Sequence, residues 1–82
     1  MNNRQRQTLQ AIFDEQANIR WSRIENLLNA LGAEISEGSG SRVRVYLNQT
    51  RAVFHRPHPE PEAHRGMVRS VKKFLENAGV TL

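Results

Sequence analysis

The sequence predicts an α+β fold in which helices cover one face of a three-stranded antiparallel sheet, in the order helix, helix, three short strands, helix. Three observations carry this expectation. Apolar residues recur at three- and four-residue spacing toward both ends of the chain, the spacing changes to two from Arg42 to His55, and glycine or proline stands where one regime gives way to the other. The chain has 82 residues, enough for one core and too few for two, so residues 1–82 read as a single domain with one shared apolar seam.

Residues 2–17 read as a first helix, an extra N-terminal arm with Leu9, Ile12, Phe13 and Gln16 on one side and Arg4, Gln7, Asp14 and Glu15 elsewhere. Ser22 followed by Glu25 has the spacing of a capping box and opens a second helix, whose stripe of Ile24, Leu27, Leu28 and Leu31 stops at Gly32. Trp21 precedes that cap, where it staples onto the first turn and packs in the core. Residues 33–37 form a short strand through Ile35, and Gly38-Ser39-Gly40-Ser41 is a turn.

From Arg42 the alternation predicts a hairpin with Asn48 and Gln49 as its two-residue loop. Leu47 then pairs with Thr50, Tyr46 with Arg51, Arg44 with Val53 and Arg42 with His55. One face carries Val43, Val45, Leu47, Thr50, Ala52 and Phe54; the other carries Arg42, Arg44, Tyr46, Arg51, Val53 and His55. A shift by one residue would destroy this segregation. Pro57, Pro59 and Pro61 end the strand because each lacks a ladder donor. Around Gly66 a last helix begins, with Met67, Val68, Val71, Phe74, Leu75 and Ala78 inward and Arg69, Lys72, Lys73 and Glu76 outward, and it ends at Gly79.

Lysine plus arginine number 12 against 8 aspartates and glutamates, a net charge of +4. Up to Ser41 the balance is −1; beyond it the balance is +5, and all three histidines lie there. Such a concentration suggests a surface for a polyanion, nucleic acid first, against the alternative of a solvated basic face. The absence of cysteine excludes a disulfide-stapled scaffold and thiolate zinc sites. No apolar run exceeds three residues, so neither a membrane span nor a signal-peptide core is expected, and the reading is a soluble cytoplasmic protein.

His55-Arg56-Pro57-His58-Pro59 concentrates histidine and arginine where the basic strand leaves the sheet. Histidine can exchange a proton with a ribose 2′-hydroxyl or a leaving oxygen, and arginine can stabilise charge on phosphate, which together suit transesterification of RNA without a metal. The competing reading makes His55 and His58 ordinary loop residues. A metal held by His55, His58 and His64 is a further option, poorly served because no Cys or suitable Asp completes a set. The Gly38–Ser41 turn lacks a Gly-Lys-Ser/Thr ending and reads as a turn rather than a phosphate cradle. Tyr46, between Arg44 and Arg51, could stack a base or pack on arginine stems.

The segment from Trp21 to Val80 resembles the HicA toxin family, the small ribonuclease halves of HicAB toxin–antitoxin pairs. The likeness rests on the order of four pieces: Ile24 to Gly32 ending Leu-Gly, the Gly40-Ser41 turn before a basic strand, the strand ending Phe54-His55-Arg56-Pro57-His58-Pro59, and Gly66 before a helix ending Ala78-Gly79. It implies a double-stranded-RNA-binding-domain-like core over residues 21–80, with residues 1–17 as an addition. It also implies an mRNA interferase that needs no metal or cofactor and is restrained by a HicB-like antitoxin covering its active surface.

In that family the catalytic histidine directly follows the Gly-Ser turn, where this chain has Arg42. Arginine stays protonated and cannot act as a general base. The hairpin register sets His55 directly across from Arg42, so the expectation is that His55 is the acid/base and Arg42 its catalytic partner. Arg42 and Arg44 would hold the scissile phosphate; Tyr46, Arg51, Arg56, His58 and Arg69 would bind RNA; and Lys72 and Lys73 would contact flanking phosphates. Two alternatives stand beside this: an RNA-binding module that has lost cleavage, and a protein whose basic surface docks an acidic partner.

Overall fold

A computed structural model describes all 82 residues. The elements are α1 (Asn3–Phe13), β1 (Ile19–Arg20), α2 (Trp21–Ala30), β2 (Glu34–Glu37), β3 (Arg42–Leu47), β4 (Thr50–His55), β5 (Glu62–Ala63) and α3 (Arg65–Asn77). Strands β2, β3 and β4 form an antiparallel sheet in sequence order, while β1 and β5 pair as a separate two-stranded ribbon. The α+β class, three helices and three-stranded antiparallel sheet agree with the expected double-stranded-RNA-binding-like arrangement. The β1–β5 ribbon is an addition, too short for any periodicity to announce it.

The hairpin register is the one the alternation requires, from Leu47 opposite Thr50 to Arg42 opposite His55. Val43, Val45, Leu47 and Phe54 are buried on its inner face. Phe54 meets Trp21 of α2 and Phe74 of α3 edge-on, at centroid distances of 6.1 and 5.8 Å, and so ties the sheet to both helices. Ile24, Leu27 and Leu28 of α2 and Val68, Val71 and Leu75 of α3 complete this layer. The added helix α1 joins the same core through Leu9 and Ile12, with Thr8 buried beside them and its hydroxyl donating to the Arg4 carbonyl at 3.0 Å.

Two boundaries differ from expectation. Helix α1 stops at Phe13 rather than near Ala17, because Glu15 takes a left-handed φ of 57°. The Glu15 N–H donates to the Ile12 carbonyl and the Gln16 N–H to that of Ala11, a Schellman closure. No glycine stands there to signal the stop; Gly32 and Gly79, with φ of 91° and 82°, end α2 and α3 as expected. The Ser22–Glu25 box does not form: α2 begins at Trp21, its N-cap Arg20 makes no side-chain cap, and the Trp21 N–H donates to the Pro61 carbonyl beside the β1–β5 ribbon. Glu25 turns to Arg56 instead. The box that does form is Asn2 with Gln5 at the start of α1.

Candidate nucleic-acid interface

The outer face of the three-stranded sheet is built by alternation alone. With Val43, Val45, Leu47 and Phe54 committed inward, Arg42, Arg44 and Tyr46 of β3 and Arg51, Val53 and His55 of β4 must point outward, and all six are exposed. The Arg56 N–H donates to the Ser41 carbonyl at 2.9 Å, which makes Ser41 and Arg56 a hydrogen-bonded pair. By alternation, Arg42/His55, Arg44/Val53 and Tyr46/Arg51 are the non-hydrogen-bonded pairs, in which facing side chains approach most closely, with Cβ atoms about 5 Å apart. The side chains of His55 and Arg42 therefore leave the sheet side by side on its outer face.

A shallow depression of about 960 Å³ lies over this face, lined by Glu34, Ser36, Arg44, Tyr46, Arg51 and Val53 among others. Glu34 and Ser36 enter it from β2, opposite Tyr46 and Arg44 in the register. Sequence reasoning missed both, although an inward Ile35 already required its two neighbours to point outward. Within the face the guanidinium of Arg51 lies 5.4 Å from the centre of the Tyr46 ring, so one side of the tyrosine is already stacked by its own chain. Arg44 donates to the Glu37 carbonyl at 3.3 Å, which holds its head toward β2. None of Arg42, Arg44 and Arg51 is in an ion pair. Three arginines and one carboxylate, Glu34, leave the face cationic.

The other predicted site residues lie elsewhere. Arg56 falls on the inner side of the sheet edge by the same alternation that turns His55 outward. There it makes a two-pronged bond to Glu37, Nη1 reaching Oε1 at 2.6 Å, and also reaches Glu25 at 3.3 Å. This bond holds the Glu37 carboxyl below its ordinary range and raises the guanidinium's own pKa. Arg69 and Lys72 on α3 both grip Glu15, at 2.7 and 3.0 Å, while Arg65 donates to the Glu15 backbone carbonyl at 3.2 Å. The Arg69 bond, then the Lys72 bond, lowers the Glu15 pKa. Arg56, Arg69 and Lys72 are thus held in ion pairs within the molecule.

Lys73 is exposed on α3, and His58 is exposed in the proline-rich loop. His64 caps α3, its Nδ1 accepting from the Met67 N–H at 3.2 Å, and the three histidines do not converge on a common centre. The structure thus gathers Arg42, Arg44, Tyr46, Arg51 and His55 on one surface, engages Arg56, Arg69 and Lys72 in ion pairs, and sets His58 in the proline-rich loop and Lys73 on α3. No helix is long and apolar enough to cross a membrane.

No curated protein and no solved structure matches the chain. Residues 21–80 match the family described as the HicA toxin of bacterial toxin-antitoxin. The match takes in α2, the three-stranded sheet and α3, and leaves α1 outside. Over most of its length, then, this is the toxin half of a two-protein system, and the chain belongs to the HicA toxin family.

Proposed function

We propose that the chain is an endoribonuclease toxin that binds mRNA on the outer sheet face and cleaves it without a metal or cofactor, in the cytoplasm, until a HicB-like antitoxin covers that face. The observation that carries this reading is the pairing of His55 with Arg42 on an exposed, cationic sheet surface. His55 takes the proton of a ribose 2′-hydroxyl, the O2′–P bond forms as the P–O5′ bond breaks, and the 5′-oxygen leaves with a proton from water. Arg42 and Arg44 offset the charge that accumulates on the phosphate oxygens. Arg51 and Tyr46 hold the neighbouring nucleotide through charge and stacking.

A second reading, RNA binding without cleavage, is favoured by Arg42 at the place where the family's catalytic histidine normally stands. Induction of the wild type, His55→Ala and Arg42→Ala in cells separates the two. The nuclease reading expects growth arrest and loss of intact mRNA with the wild type and neither with His55→Ala, and a weakened effect with Arg42→Ala. Binding alone expects intact mRNA in all three.

A further inference from the structure

Beyond the sheet, a second concavity of about 180 Å³ opens where α1, β1 and α2 meet. It is lined by eight residues, none of them apolar and none acidic, including Arg4, Arg20, Arg23, Ser22 and Asn26. Three arginines and no carboxylate thus line one small concavity. The four ion pairs of the molecule all belong to Arg56, Arg69 and Lys72, so none of these three arginines is neutralised within the chain. Arg23 adds an independent sign: its Nε is shut off from solvent and has no hydrogen-bond acceptor. A buried donor on a cation needs an acceptor, and the nearest polar surroundings supply mostly more donors.

Asn26 accepts at Oδ1 from the Gln5 Nε2 amide at 2.9 Å, which leaves its own amide N–H groups to donate. Arg20 makes no side-chain cap at the start of α2, where the Trp21 N–H is taken by the Pro61 carbonyl. A compact, multiply charged acceptor would meet these donors together. At about 180 Å³ the cavity has room for one tetrahedral oxyanion. Guanidinium forks match phosphate oxygens in pairs.

We propose that this pocket is a phosphate-binding site, distinct from the sheet face and independent of whether that face cleaves RNA. The group is either a free phosphate or the terminal phosphate of a nucleic acid, since both present the same doubly charged oxyanion.

The test is an NMR titration of the full chain at fixed ionic strength. The probes are inorganic phosphate, then a short deoxyoligonucleotide with a 5′-phosphate and the same strand with a 5′-hydroxyl, neither of which can be cleaved through a 2′-oxygen. Phosphate should shift the amides of residues 2–8 and 20–26 saturably. Arg23→Gln should weaken binding at least tenfold and Arg4→Gln several-fold, while Arg44→Gln on the sheet leaves it unchanged. Arg4 is exposed on α1, so its variant tests the site even if Arg23→Gln does not fold. Stronger shifts of these amides by the 5′-phosphorylated strand than by the 5′-hydroxyl strand would make the ligand a nucleic-acid end; equal shifts alongside saturable inorganic phosphate would make it free phosphate. Shifts that chloride reproduces, or that survive unchanged in both Arg4→Gln and Arg23→Gln, would overturn the proposal.

Discussion

Asn48 and Gln49 turn the central hairpin with φ of 50° and 65°, a region that favours glycine. Asn48 is secured there, because its Nδ2 donates to the Ala78 carbonyl at 2.9 Å, while the Thr50 hydroxyl donates to that of Asn77 at 3.3 Å. The loop thereby locks onto the C-terminal end of α3. Gln49 makes no such contact. Gln49→Gly should therefore stabilise the fold by about 1 kcal/mol, and Asn48→Ala should destabilise it by roughly 1–2 kcal/mol, both read from urea unfolding midpoints. The register was legible without a glycine in the turn because only one pairing separates the apolar from the basic residues. The same alternation held the fate of Arg56, one step past outward-facing His55, yet its partners Glu37 and Glu25 come from distant elements that no local pattern names.

Helix ends are where sequence signals and tertiary contacts competed. Gly32 and Gly79 announced two of the three stops, whereas α1 closes on Glu15, held in its left-handed conformation by three cationic side chains of α3. Ser22 and Glu25 had the spacing of a cap, but the Pro61 carbonyl and Arg56 took their places. The α1–α3 clamp has a pH signature. Bonds from Arg69 and Lys72 lower the Glu15 carboxyl from its ordinary value of 4.5, so their contribution is complete above that value and is lost as pH falls through the lowered one. Thermal unfolding should show a plateau near neutrality and a decline in acid. Glu15→Gln should lower the plateau and make the decline shallower, Glu37 supplying what remains of it.

Across the whole molecule the fold redistributes the charge asymmetry of the chain. Acidic groups from the first half, Glu15, Glu25 and Glu37, neutralise Arg56, Arg69 and Lys72 from the second. Two clusters of unpaired arginines remain, on the outer sheet face and in the pocket beside α1. Position along the chain predicted the first, since period-two alternation assigns every β3 and β4 residue to a face. It concealed the second, whose arginines lie in the half with a net negative balance and meet only through helix packing. In the proposed function His55 on the sheet face activates the 2′-hydroxyl of bound RNA. The most direct measurement incubates purified wild type and His55→Ala with an RNA oligonucleotide in excess chelator, recording both cleavage ends and binding. The wild type should leave 2′,3′-cyclic phosphate ends and His55→Ala should bind without cleaving; cleavage by His55→Ala at the wild-type rate would overturn the role of His55.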